Sequence, residues 1–431
     1  MILLISIIFF LIVILMFYGI FFEYQRKSPF VIFYIVLLFM TIPYGFENIF
    51  FESKYNLSVI FEANFFILIY LSFFIFFRRL FIIIFKSGNI WSDLYNNRSS
   101  LYSNNFLYYF SVISLLLCLF GFIYGLKLFS ISSMMSLNWW DFVQSSSVLV
   151  KASVYLSYMA CCSSVLAFYF VESGKRKLIA IFTIIFLVFS IFVLKTRSYL
   201  LLMLVPLLLY LFYGNFKSKV KVISLLFISL FLFVFARAVR HASDINDFLE
   251  QDFFILFKGA SEGSELSLID GLYFFIKNNN DFEGFNSNIT FLRTVFFWLP
   301  SFLVDFKPVE VTYYMFQAYY GDHYSNKYSF HPTVFGDAYG NFGMLGSVFY
   351  SFYLAFIIGF FEFLSKRNSV ISFYLFSLLS VVLLIFARGA FYNAFMYLVI
   401  PYFIFYILYF IKYLLGKIIV HKASNYDLYC L

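Results

Sequence analysis

Four short stretches carry the side chains that could hold an anion or move a proton. Lys195-Thr196-Arg197-Ser198 joins two short apolar runs. A guanidinium there presents a planar fork of donors that fits a phosphate or pyrophosphate; snorkelling to lipid phosphate is the plainer use of the same turn. In Arg237-Ala238-Val239-Arg240-His241 the two arginines are three apart and share a face of a continuing helix, as an anion site or a helix-end anchor. His331-Pro332-Thr333 leads into a glycine-rich segment containing Gly336, Asp337, Tyr339, Gly340, Asn341 and Gly343. His331 can exchange a proton near neutral pH, with Asp337 to orient it or to act itself, whereas a structural role is the commoner fate of a lone loop histidine. Arg388-Gly389 closes an otherwise apolar segment, and its arginine reads equally as an anchor or an anion ligand.

These groups must be positioned by elements that live in lipid. Hydrophobic residues make up 63% of the 431-residue chain and charged ones only 12%, whereas a soluble domain carries about a quarter charged. The apolar residues fall in continuous runs rather than alternating, which selects helices over a barrel. The 69 Phe and 36 Tyr read as a bias of composition rather than as an aromatic binding site. The runs lie at 1–22, 29–46, 59–77, 106–125, 148–170, 178–194, 199–213, 220–236, 339–364, 370–387 and 394–411. The fold class expected is therefore an all-α polytopic integral membrane protein with about eleven transmembrane helices, roughly ten to twelve by run length. One large loop separates the eighth span from the ninth. Residues 1–236 form the N-terminal spans, 237–338 the loop, and 339–431 the C-terminal spans with a short tail. The first run lacks the basic start and small-residue cleavage site of a signal peptide.

Orientation follows from charge. Lys and Arg collect in alternate short loops, at Arg26 and Lys27, Arg78 to Arg98, Lys175 to Lys177, Lys217 to Lys221, Lys366 and Arg367, and Lys412 onward. The intervening loops hold few. The basic set belongs in the cytoplasm. That places the N-terminus and the 237–338 loop outside and the C-terminal tail inside. Within the loop, 289–306 is apolar but interrupted by Arg293, Trp298 and Pro300. It suits a helix on the membrane surface or a short helix packed under the loop.

Several chemistries are disfavoured. The net charge of +8 is largely explained by orientation, and no basic run has the aromatic interleaving of a nucleic-acid surface. Cys118, Cys161 and Cys162 lie in apolar runs and Cys430 in the tail, so neither a disulfide framework nor zinc spacing arises. Phosphate-loop, His-Glu-x-x-His and Gly-x-Ser-x-Gly motifs are missing. Asp322, His323 and His331 have only a generic metal-ligand spacing. No internal repeat supports a repeat-built transporter.

The segment FHPTVFGDAYGNFGMLG at 330–346, with KTRS at 195–198 and ARG at 387–389, resembles the O-antigen polymerases of the Wzy type, which polymerise bacterial oligosaccharide repeat units. Many spans and one large periplasmic loop in the C-terminal half complete the likeness. The resemblance implies a glycosyltransferase of the inner membrane with its site facing the periplasm. Such an enzyme moves a growing glycan from undecaprenyl diphosphate onto a new lipid-linked repeat unit, with no metal, nucleotide sugar or other cofactor. Its partners would be undecaprenyl-diphosphate-linked oligosaccharides, membrane lipids and a chain-length regulator protein. On this reading Arg197, Arg240 and Arg388, supported by Arg237, hold the diphosphates. His331 is the base, with Asp337 as orienter or rival. Arg293, Tyr339 and Asn341 hold sugar. An O-antigen ligase shares the same architecture. A lipid-linked oligosaccharide flippase would favour charges along a central cavity. A glycosyltransferase using a polyprenyl-monophosphate sugar would need an acid in the first outer loop, where Glu47 and Glu52 stand.

Overall fold

The computed structural model describes residues 1–51, 53–96, 105–127, 148–170, 173–192, 198–214, 268–280, 289–296, 311–321, 330–366, 368–389 and 391–427, with isolated positions between. Among them there are helices and no strands. The membrane-facing part comprises α1 (Ile2–Gln25), α2 (Val31–Phe50), α3 (Leu57–Ile84), a short α4 (Ile90–Asn96), α5 (Asn105–Leu126), α6 (Val148–Phe170), α7 (Ser173–Phe192) and α8 (Ser198–Phe212). The large loop contributes α9 (Asp270–Lys277), α10 (Ile289–Val295) and α11 (Val311–Tyr320). The chain then enters α12 (Thr333–Phe342), α13 (Gly346–Ser365), α14 (Ser369–Ala387) and α15 (Phe391–Asp427).

Seven stretches of the described residues are long and apolar enough to cross a membrane, and α6, α7 and α8 contribute shorter apolar segments. The protein is a polytopic helical membrane protein. Every expected span falls on a single helix except 220–236, which lies almost wholly outside the described residues, and 339–364, which divides between α12 and α13. Helices dominate because hydrocarbon offers the backbone no hydrogen-bond partner, so each segment must satisfy its own amides. Pro43, Pro206 and Pro401 sit inside α2, α8 and α15, as neighbouring helices in a bundle allow.

Packing, rather than the hydrophobic effect, holds such helices together, since lipid is as apolar as a leucine side chain. Along α3 and α13, Phe77 meets Phe352 at 5.2 Å and Phe81 meets Phe356 at 5.5 Å between ring centroids. Tyr374 of α14 stacks on Phe405 of α15 at 3.9 Å, and Tyr158 of α6 stacks on Tyr397 of α15 at the same distance. The centre of the bundle is α14, with 89% of its membrane-length window buried; α1 has only 33% and leaves Leu3, Phe10, Ile14 and Phe21 exposed.

The bundle has two distinct ends. At one, Glu23 near the C-terminal end of α1, Arg78 near that of α3 and Glu362 near that of α13 converge. Arg78 is 1% exposed and grips Glu362 through two bonds of 2.9 and 2.6 Å, with a third to Glu23 at 3.0 Å. Arg26 pairs with Glu23 at 3.0 Å and donates to the carbonyls of Ser87 and Gly88. Ser87 Oγ and Trp91 Nε1 donate to Glu362 at 2.8 and 3.0 Å. The sequence reading counted Arg26 and Arg78 among the orienting loop charges and gathered the functional charges at one end. The structure buries these two in a network with two carboxylates, because matched charges satisfy each other where water is absent. Since α1, α3 and α13 all end here, they run parallel.

A second difference concerns the ninth expected span. It does not run unbroken from 339: α12 stops at Gly343 (φ +57°), and α13 starts at Gly346 after one turn of 3-10 helix. A side chain on Gly346 would overlap the Ala338 carbonyl. The glycines therefore let α12 fold tightly against the start of α13. The glycine-rich segment 330–346 thus contains a separate helix, α12, at the far end of α13 from the Arg78 network.

Candidate functional site

Two of the chemistry-bearing stretches meet at that far end. The Thr333 amide donates to the Arg388 carbonyl at 3.0 Å. Gly389 has φ +86°, and any side chain on it would overlap the Thr333 carbonyl. The Arg-Gly sequence at the end of α14 is thus the place where the His-Pro-Thr turn docks. Gly271 of α9 lies so close to Pro332 that a methyl group on it would come within 2.6 Å of the Pro332 Cβ. The large loop, the turn and α14 are therefore stitched together around one point.

His331 is partly buried, and its Nδ1 atom is buried without a hydrogen-bond partner. Burial and the neighbouring Arg388 charge lower the His331 pKa to about 3. The imidazole is accordingly neutral in the physiological range, able to accept a proton but weakly basic beside the Arg388 charge. A lowered value means that the fold favours neutral His331. Its contribution to stability is complete above the ordinary histidine pKa near 6.5 and is lost as pH falls from there toward 3. His331→Asn should flatten that part of the profile. The gap in melting midpoint between about pH 7.5 and about pH 4.5 should be smaller in the variant than in the native protein. An equally steep fall in both would refute the assignment.

Asp337 and Asn341, expected at the base and the sugar, hold elements together. Asp337 Oδ1 accepts from Asn341 Nδ2 at 2.9 Å and from the Tyr350 hydroxyl at 3.2 Å. Its Oδ2 accepts from the Phe391 amide at 3.2 Å. A carboxylate at the first amide of α15 satisfies an orphan donor and complements the helix dipole. Asn341 also donates to the Asp337 carbonyl at 2.8 Å, while its own Oδ1 accepts from the Phe291 amide at 3.0 Å. Four helices, α10, α12, α13 and α15, are thereby joined beside Arg388. Tyr339 donates its hydroxyl to Glu62 at 2.6 Å. Arg293 lies 4.5 Å above the ring of Tyr392, a cation–π contact. Its helix α10 packs Phe291 against Phe342, Phe349 and Phe391, which favours the second of the two placements weighed for 289–306.

A further constellation lay outside the sequence reading. Asp270, 1% exposed at the start of α9, accepts from Tyr44, from Tyr55 at 2.7 Å and from Lys54 at 2.6 Å. Lys54 also reaches the Tyr319 hydroxyl at 3.0 Å. Burial and the adjacent Asp270 push the Tyr55 phenol well above its usual range, so it remains a donor. The loop between α2 and α3 is thus clamped to the large loop. The available signal was Lys54 itself, a cation in the charge-poor set of loops.

Arg197, Arg237, Arg240, Asp322, His323, Trp298 and Pro300 lie outside the described residues. Among the described ones, no three His, Cys, Asp or Glu side chains converge as metal ligands. A largely apolar crevice of about 240 Å³ opens between α6, α7 and α8, lined by Val165, Ile184, Leu187, Leu204 and Leu207 among others. The segment 193–197, with Arg197, connects two of these three helices. Comparison with protein-family models, with curated proteins and with solved structures finds no match in any of the three.

Proposed function

We propose that the protein is a lipid-linked oligosaccharide polymerase: a glycosyltransferase whose donor and acceptor are both borne on polyprenyl diphosphate, acting at the periplasmic face of the bacterial inner membrane. The observation that carries the reading is the docking of the His331 turn onto Arg388, through the 3.0 Å bond from the Thr333 amide. It sets a fixed cation beside a neutral imidazole, at the end of a membrane bundle opposite its buried ion network.

The chemistry needs both groups. The acceptor hydroxyl attacks the anomeric carbon of the donor sugar. A glycosidic C–O bond forms as the bond from that carbon to the diphosphate oxygen breaks. The electron pair leaves with the diphosphate, and the developing charge is stabilised by a guanidinium already in place, Arg388. The hydroxyl proton passes to His331. Arrival of the diphosphate offsets the Arg388 charge, one of the two causes holding the imidazole acidic, so substrate binding itself raises the basicity the step requires. Asp337 and Asn341 act one step back, by holding α15 and α10 against α12. The apolar crevice between α6, α7 and α8 has the character needed for a polyprenyl chain.

A strain lacking the gene should make lipopolysaccharide capped with a single repeat unit, seen as one band above core in place of a ladder. Loss of all O-antigen from core would instead assign the protein as a ligase. An undisturbed ladder would refute both. Transport of labelled lipid-linked unit by the purified protein without chain growth would make it a flippase.

A further inference from the structure

The first residue of α12 is costly in two independent ways. Thr333 has φ +63° and is fully buried, in a region that β-branched residues rarely occupy. Its hydroxyl oxygen is also buried without a hydrogen-bond partner, although buried hydroxyls are normally paired. Glycine would remove the first cost, and an apolar side chain the second. A hydroxyl retained in that position is explained by a group that arrives to meet it.

What surrounds the hydroxyl defines that group. His331 Nδ1, two residues away across Pro332, is the second buried polar atom without a partner. The start of α12 has Pro332 at its N-cap position and no side-chain cap bond. Of its leading amides, Thr333 donates to the Arg388 carbonyl and Gly336 to the Pro332 carbonyl, with Val334 and Phe335 between them. A helix start directs amides and a positive dipole end outward, and the residue bonded to it is Arg388. Hydroxyl, helix start and guanidinium all favour an anionic oxygen acceptor. A sugar hydroxyl would use the Thr333 oxygen alone and would leave the positive end of the α12 dipole uncompensated.

We propose that Thr333 is a phosphate-binding residue, its hydroxyl and the first turn of α12 holding one phosphate of the lipid diphosphate together with Arg388. This rests on the reading of Arg388 as a diphosphate ligand, and it adds a residue and a helix start to that site. The backbone bond from the Thr333 amide to the Arg388 carbonyl keeps the start of α12 beside Arg388.

The test is calorimetric titration of inorganic pyrophosphate into the purified full-length protein in detergent, alongside thermal unfolding of each variant. Thr333→Ser keeps the hydroxyl and should bind within about twofold of the native protein. Thr333→Val should bind about ten- to a hundredfold more weakly, the loss typical of a hydrogen bond to a charged group. Thr333→Gly removes hydroxyl and backbone strain together, so it should unfold at or above the native temperature and yet bind as weakly as Thr333→Val. If Thr333→Val and Thr333→Gly bind normally while Arg388→Ala does not, the assignment of Thr333 is overturned and the Arg388 reading survives. Normal binding by Arg388→Ala overturns the Arg388 reading itself. Phosphatidylglycerol added to the micelles separates the two sources of phosphate: pyrophosphate affinity should be unchanged, and competitive displacement would reassign the site to bilayer headgroups.

Discussion

Replacing Arg388 with alanine should abolish polymer while the protein remains inserted and normally abundant. The contact that docks the His331 turn at this position is made by the backbone: the carbonyl accepts from Thr333, and φ −70° is open to alanine. The variant therefore removes the guanidinium and leaves that backbone bond in place. Loss of one preplaced donor to a developing oxyanion typically lowers turnover about 10²–10³-fold. That is enough to erase a ladder built by repeated transfers. Arg388→Lys should recover only part of the rate, because an ammonium lacks the bidentate fork that matches a phosphate edge. The measurement is the initial rate of chain extension on lipid-linked repeat units in detergent or proteoliposomes, with band patterns of complemented strains as the cellular readout. A normal ladder from Arg388→Ala would end the diphosphate assignment.

The second large effect belongs to the opposite end and to stability. Arg78→Ala should lower the stability of the purified protein by about 3–5 kcal/mol, the usual consequence of removing one partner from a buried ion network. Glu362 would lose both guanidinium bonds, of 2.9 and 2.6 Å, and Glu23 would lose another at 3.0 Å, with both carboxylates at 0% exposure. Because these charges tie α1, α3 and α13 to one another at that end, their packing should loosen together. Thermal unfolding and cellular abundance report the loss. Specific activity of whatever protein remains folded should be near native, since the Arg388 site lies at the other end of the bundle. An unchanged midpoint would mean that the network contributes nothing beyond its desolvation cost. The two variants thus separate: Arg388→Ala loses rate and keeps the fold, whereas Arg78→Ala loses the fold and keeps the rate per folded molecule.

Much of the membrane architecture was open to inspection along the chain, because lipid demands long apolar runs and those runs are local. The helices at 148–170 and 370–387 follow from hydropathy almost to the residue. The chemistry-bearing motifs at 331–343 and 388–389 were also visible, as polar and glycine residues out of keeping with apolar surroundings. Their roles were harder to read. Asp337 stands out as a lone acid near a histidine, yet its oxygens accept from Asn341, Tyr350 and the first amide of α15. Asp270 gave little sign of itself, being one acid in a hydrophilic loop, and only its burial against Tyr44, Tyr55 and Lys54 marks it. Arg26 and Arg78 looked like loop cations because nothing local announces Glu362, which lies 284 residues from Arg78.

Composition and run length alone determined that this chain is a helical membrane protein and where most of its helices lie, since backbone satisfaction in lipid is a property of each segment by itself. Tertiary structure alone decided that the 339–364 run breaks at Gly343, that the His331 turn rests on Arg388, and that Thr333 is held in a left-handed conformation with its hydroxyl buried. These depend on contacts between residues more than fifty positions apart, or on the space left beside a glycine, and neither is encoded in any local pattern.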